Sequence, residues 1–253
     1  MKPNLFILGG QKCGTTALAS FLDQHSDIAI VEGKEAHVFD SPRLQQASEQ
    51  ELTLAYQNLS KDYESQRYLC DATPIYAYLT DIPERISRYT PDAKIIFMLR
   101  DPVDRAISHY QMERRRNIET ENMLRAFLLE PKRLAKELSP VADNSAFRVS
   151  SYLDRGRFSQ QLANLYRFFK PEQVLIIHNE DLRVHHQQTL DRVFDFLQVP
   201  NQKIPAKTVF SGTYRQQGLI QYLASLYAGF ILRKECKFVK QHHQFSRKQD
   251  NDK

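Results

Sequence analysis

The chain has 253 residues, 35 Lys and Arg against 30 Asp and Glu, a formal net charge of +5 and 42% hydrophobic residues. That is enough apolar material to bury the core of one large α/β domain or two small ones, which excludes disorder over most of the chain. Cys13, Cys70 and Cys236 are too far apart for a metal-ligand spacing and too few for an even disulfide framework, so a reducing, cytoplasmic compartment is expected.

From Met1-Lys2-Pro3 the chain runs straight into the apolar Leu5 to Leu8, the first predicted strand, with no signal-peptide pattern. The sequon at Asn58-Leu59-Ser60 is accordingly expected to stay unglycosylated. A helix is predicted over Thr16 to His25, with Ala17, Leu18, Phe21 and Leu22 on one face. Ile28 to Val31 and Tyr68 to Asp71 read as strands, Ile82 to Tyr89 as a helix, and Lys94 to Leu99 as a buried strand. Asp101-Pro102 opens a helix over Val103 to Arg116, because proline is tolerated in a first turn. Further on, a helix is predicted over Ser151 to Phe169, a strand over Val174 to Ile177 and a helix over Gln187 to Leu197. Val199 to Gln217, with Pro200, Pro205 and Gly212 inside it and Gly218 next to it, reads as a long loop. Pro42 to Gln66 and Ile118 to Arg148 are polar, mostly helical inserts.

Strands alternating with helices predict a three-layer P-loop-like α/β fold, a central and mostly parallel sheet flanked by helices. One domain is expected over residues 1–232. Leu219 to Leu232 is interrupted by Gln221, Tyr222, Ser225, Tyr227 and Gly229, so it reads as an amphipathic helix and falls short of a membrane span. A basic, poorly ordered tail is expected over 233–253. Its surroundings are solvent, with a weak membrane-surface contact as the alternative.

Charge is unevenly placed. From Phe230 to Lys253 there are seven positive and three negative residues, a net of +4, which leaves about +1 for the first 229 residues. A nucleic-acid-binding protein would need basic residues spread over its body, so that class is not expected. Any anion site must be local.

Three of the eight glycines fall within six residues of one another, in Gly9-Gly10-Gln11-Lys12-Cys13-Gly14-Thr15-Thr16, between the first strand and the first helix. Glycine permits the sharp turn, and a helix N-terminus aims N–H groups at an anion, so this is a phosphate cradle. Nucleotide hydrolases use G-x-x-x-x-G-K-[ST], with the lysine after the second glycine. Here Thr15 holds that place and the lysine has moved back to Lys12, which argues against Mg²⁺-dependent phosphoryl transfer. Arg100 ends the strand at Leu99 and Ser108 lies on the helix that follows. Strand ends are where open α/β sheets bind ligands, and an arginine there suits a phosphate and repels a metal. Taken alone, Arg100-Asp101 is an ordinary surface turn.

Together the two segments resemble the nucleotide-binding signatures of sulfotransferases that use 3′-phosphoadenosine 5′-phosphosulfate (PAPS) and release 3′-phosphoadenosine 5′-phosphate (PAP). The resemblance runs over most of Asn4 to Leu197 and implies that Gln11, Lys12, Cys13, Gly14, Thr15 and Thr16 bind the 5′-phosphosulfate. It gives the 3′-phosphate to Arg100 and Ser108, with no metal required. Gly33-Lys34-Glu35-Ala36-His37-Val38-Phe39-Asp40 is similar to a segment of heparan sulfate sulfotransferases. By that match Glu35 is the catalytic base, Lys12 acts on the charge of the leaving phosphate, and His37 and Asp40 place the base or the acceptor. A sugar hydroxyl needs a base as its oxygen attacks, which a nearby carboxylate provides; on sequence alone Glu32 competes. Cys70-Asp71-Ala72-Thr73-Pro74 departs from the resemblance, because Ala72 stands where those enzymes have lysine. Ser211-Gly212-Thr213-Tyr214-Arg215 is matched to a late loop over the cofactor, with Tyr214 or Arg215 near the adenosine or 3′-phosphate.

The implied acceptor is a carbohydrate-like, glycolipid or other small molecule, sulfated on a hydroxyl or an amine. A P-loop small-molecule kinase and a nucleotide-binding module without catalysis are the rival readings.

Overall fold

A computed structural model describes residues 2–60, 63–139, 141–207 and 218–251. The chain forms two compact units, Met1–Leu99 with Gln161–Ser211, and Arg100–Gln160 with Gly212–Lys253.

In chain order the elements are β1 (Leu5–Gly9), α1 (Thr15–Leu22), β2 (Ile28–Ile30), α2 (Glu49–Asn58), β3 (Tyr68–Asp71), α3 (Ile82–Tyr89), β4 (Lys94–Leu99), α4 (Pro102–Arg115), α5 (Met123–Ala135), α6 (Ala146–Val149), α7 (Phe158–Leu165), β5 (Val174–His178), α8 (Asn179–Val184), α9 (His186–Leu197), α10 (Gly218–Ile231) and α11 (Arg233–Asn251).

The first unit holds one five-stranded, all-parallel sheet in the order β2-β3-β1-β4-β5. Its middle strands are buried along their length except at Lys94, which is why Leu5 to Leu8 and Ile95 to Leu99 read as unbroken apolar runs instead of alternating patterns. They pair in register from Leu5 opposite Lys94 to Gly9 opposite Met98. After β1 the chain turns towards β2, and β5 lies on the far side of β4. The carboxyl ends of β1 and β4 therefore form a topological switch point, where sheets of this kind bind ligands. The loop from Gly10 to Gly14 leaves β1 at that point.

The second unit is helical. Its core is Ala106, Tyr110, Met123, Ala126, Phe127, Tyr152, Leu153, Ala224, Ala228 and Leu232. Asp101 caps α4, its carboxylate accepting from the N–H groups of Val103 (2.9 Å) and Asp104 (3.0 Å), and Pro102 takes the first helical position. The expected continuous helix over Ser151 to Phe169 is corrected. A 3-10 turn at Asp154–Gly156 comes first, and α7 begins only at Phe158. The physical reason lies elsewhere in the sequence. The buried Glu130 side chain accepts the N–H groups of Leu153 and Asp154, both at 2.7 Å, and so fixes them in a separate turn ahead of α7. A side chain at Gly156 would also meet Leu232 at 3.4 Å. The first helix, expected over Thr16 to His25, is shorter, ending at Leu22.

From 233 the chain continues as α11. Glu235 accepts from Ser159 N at 2.9 Å and Ser159 Oγ at 2.6 Å. No helix among the described residues is long and apolar enough to cross a membrane.

Candidate active site

The loop between β1 and α1 is built on left-handed backbone. Gly9, Lys12 and Gly14 have φ of 107°, 73° and 95°. A Cβ on Gly9 would lie 2.5 Å from the Met98 carbonyl oxygen, a main-chain atom, so that position requires glycine; at Gly14 the left-handed φ disfavours a side chain, and its Cβ would displace the Asn179 Nδ2 that lies 2.3 Å away. Gly14 is the residue that precedes α1, and it offers no side-chain cap. The first N–H groups of α1 thus keep the orientation of an anion site, because a helix start leaves them without intrahelical partners. Cys13 is buried, and its N–H donates to Gly10 O at 3.0 Å, which fits a small structural loop residue. Gln11 and Lys12 are half-buried, Thr15 is buried and Thr16 is exposed.

The segment after β2 is equally contorted, with Gly33, Lys34 and His37 at φ of 73°, 72° and 51°. Non-glycine residues adopt this conformation reluctantly, and here hydrogen bonds hold them in it. Lys34 N donates to Val31 O (2.9 Å), and Lys34 O accepts from Ala72 N (3.0 Å). The buried Asp71 at the end of β3 accepts from Ala36 N at 3.3 Å, from Thr73 Oγ1 at 2.5 Å and from Tyr56 OH at 2.8 Å. Burial pushes its carboxyl above the ordinary value despite those donors. Tyr76 OH, also buried, accepts from Val38 N (2.8 Å) and Phe39 N (3.2 Å). The Phe39 ring packs edge-on against Tyr76, with centroids 5.6 Å apart. The turn from 33 to 40 is therefore held in place by β3 and the residues just after it.

On that turn the structure brings together Glu35, His37 and Asp40. His37 Nδ1 donates to Asp40 at 2.9 Å, and His37 Nε2 lies 3.3 Å from Glu35 Oε2. Hydrogen bonds to Asp40 first, and to Glu35 second, raise the His37 imidazole to about 9, so it is an imidazolium at neutral pH. Glu35 Oε1 lies 2.5 Å from Lys34 Nζ. Burial disfavours the Glu35 charge, but the His37 hydrogen bond and the Lys34 ammonium outweigh it and hold the carboxyl below its ordinary value. Lys34 Nζ also donates to Thr16 Oγ1 at 3.2 Å. A single ammonium group thus joins the cradle helix to the carboxylate. Glu32, the competing carboxylate, is exposed.

In the second unit, Arg100 is half-buried directly after β4, and Ser108 is 1% exposed on α4. Tyr214 and Arg215 lie outside the described residues. Sequence reading passed over Lys34, Asp71, Thr73 and Tyr76 as site-building residues. The one available signal was the charged Lys34 beside Glu35, and the others are polar residues in a stretch notable mainly for Ala72.

Residues 2–225 match the family model described as the sulfotransferase domain. Human heparan sulfate glucosamine 3-O-sulfotransferase 3B1 is 31% identical over 197 residues, covering 77% of this chain and 46% of the relative. The human 3A1 enzyme of the same name is 31% identical and is covered to 44%. The chain therefore spans about half the length of these curated relatives. Among solved structures, a sulfotransferase from Alicyclobacillus acidocaldarius is 25% identical with a TM-score of 0.74, covering 95% of this chain and 96% of that one. A sulfotransferase from Mycobacterium avium, 10% identical with a TM-score of 0.52 and covering 90% of this chain and 68% of that one, shares the fold.

Proposed function

The chain belongs to the sulfotransferase family, and from that premise we propose that it moves a sulfuryl group from PAPS to a hydroxyl, or an amine, of a carbohydrate-like or glycolipid acceptor. The carbohydrate part of this reading is supported by the heparan sulfate enzymes among its relatives. One observation carries the chemistry: an ionised Glu35 is tied through Lys34 to the first turn of the glycine-bounded cradle helix.

The residues present fit the donor. A Cβ at Gly9 or Gly14 would collide with neighbouring atoms, and the uncapped start of α1 suits a phosphate. When bound, PAPS supplies the sulfuryl group and a phosphate leaving group. The N–H groups of Gly14, Thr15 and Thr16 hold the 5′-phosphate. Lys12 offsets the negative charge that develops there, and charge stabilisation of this kind is commonly the largest catalytic contribution. Arg100 and Ser108 take the 3′-phosphate, and Arg100 suits it because a guanidinium matches phosphate geometry.

Glu35 removes the acceptor's proton at a side-chain oxygen. A free sugar hydroxyl is far too weak an acid to ionise at neutral pH, so proton removal has to accompany attack. His37, fixed by Asp40, keeps the carboxylate ionised and oriented.

The test uses ³⁵S-labelled PAPS with separate polysaccharide, glycolipid and small-molecule pools. Label is expected in a carbohydrate-containing pool, and Glu35→Gln is expected to keep PAP binding while losing transfer. Near-normal turnover by that variant would overturn the base assignment, and magnesium-dependent use of ATP in place of PAPS would overturn the donor.

A further inference from the structure

Lys34 has not been given a role by any motif considered so far, yet it occupies the junction of the two halves of the chemistry. Its ammonium lies 3.2 Å from Thr16 Oγ1, on the second residue of α1, and 2.5 Å from Glu35 Oε1. The side chain is 16% exposed. Its backbone is fixed at both ends of the residue, through Val31 O and Ala72 N, in a left-handed conformation that a lysine does not favour. An ordinary surface lysine needs none of this. Position 72, hydrogen-bonded to Lys34 O, is a buried alanine, so in this pair of adjoining segments the cation comes from Lys34.

Resting on the sulfuryl-transfer reading, we propose that Lys34 is a further catalytic residue, whose ammonium exchanges Glu35 for the oxygens of the donor's sulfuryl group. An ammonium has three protons to donate, and two are engaged by Thr16 and Glu35. An anion held at the start of α1 stands beside Thr16, so a sulfuryl group attached to that anion comes within reach of the same ammonium. Turning towards the sulfuryl oxygens neutralises charge on the group being transferred. It also releases Glu35 Oε1 at the moment a proton acceptor is needed. The other charged groups around Glu35 are His37 on its own turn, Asp40 behind His37, and the buried Asp71 on β3 beneath Ala36.

The experiment is calorimetric titration of wild type, Lys34→Met and Lys34→Arg with PAPS and, separately, with PAP, without acceptor. PAP lacks the sulfuryl group and reports the phosphate contacts alone. Lys34→Met is expected to bind PAP within about twofold of wild type and PAPS about tenfold or more weakly, a change of about 1.4 kcal/mol in the preference between them. Lys34→Arg, which keeps the cation, is expected to retain most of that preference. Equal changes for the two ligands in Lys34→Met, including loss of both or of neither, would overturn the role of Lys34. Wild-type protein that binds neither ligand would instead overturn the sulfuryl-transfer reading.

Discussion

Gly9→Ala isolates the close approach of backbone to backbone on which the cradle rests. Two effects act at this position. A left-handed φ of 107° penalises any side chain, typically by about 1–2 kcal/mol. The new Cβ would also lie 2.5 Å from Met98 O and 2.6 Å from Met98 N. Those are main-chain atoms of β4, so β1 and β4 must move apart locally, and overpacking of this kind costs about 1–3 kcal/mol more. Gly33→Ala supplies the control, since its φ of 73° carries the torsional penalty with nothing within 4 Å of the new methyl. Gly33→Ala should thus lose about 1 kcal/mol and Gly9→Ala about 3 kcal/mol. The chain has no tryptophan, so urea unfolding is best followed by far-ultraviolet circular dichroism, with free energies compared only where the slopes agree. Equal losses within about 0.5 kcal/mol would refute the steric argument.

Three further outcomes are expected. Tyr76→Phe removes the acceptor for Val38 N and Phe39 N, at a cost of about 2–4 kcal/mol for two stranded buried donors; hydrogen exchange should quicken selectively at those amides, and unchanged protection would count against the tyrosine anchor. His37 should titrate by NMR with a midpoint near 9. Its folded-state value lies above the ordinary 6.5, so the charge-dependent part of the stability it confers is full below about 6.5 and disappears as pH rises through about 9; the loss in His37→Ala should be larger at pH about 6 than at about 10, and equal losses at the two would count against the charged pair. Burial of Glu130 raises its carboxyl to about 7 in spite of its two backbone donors. Its contribution is therefore fully present below about 4.5 and declines by about 3 kcal/mol as pH approaches 7, a slope that Glu130→Gln should flatten and that identical pH profiles would disprove.

The parts of the fold that depend on local pattern were legible in the sequence. β1, β4 and β5 are apolar runs with strand lengths, and the cradle announces itself through Gly9, Lys12 and Gly14 at fixed spacing. Glu35, His37 and Asp40 were read from a matching segment, and the structure joins them through hydrogen bonds. What could not be read depends on partners distant along the chain. Asp71 and Tyr76 anchor a turn some 35 to 38 residues earlier. Glu130 reaches 23 residues ahead to fix the turn at Leu153, inside the span of the expected helix. Glu235 reaches back 76 residues to Ser159. Lys34 was hidden for another reason, since a left-handed residue directs its side chain where no helical or strand periodicity would put it.

The two cations on Glu35 are unequal, and the difference bears on which oxygen takes the proton. His37 is held by the fully buried Asp40, with Nδ1 at 2.9 and 3.2 Å from its two oxygens, and touches Glu35 Oε2 at 3.3 Å. Moving the imidazolium would take its cation from a buried carboxylate, so this contact stays, since breaking one side of a buried ion pair is strongly destabilising. Lys34 is joined to Glu35 Oε1 and to the neutral hydroxyl of Thr16, and when it exchanges one anion for another the carboxylate it leaves is 34% exposed and keeps His37. On the proposed assignment, Oε1 is the oxygen that becomes free when the donor is in place, while Oε2 stays bound to His37 and fixes the plane of the carboxylate. The lowered Glu35 pKa then describes the resting turn, and departure of Lys34 raises the proton affinity of the group at the step that uses it.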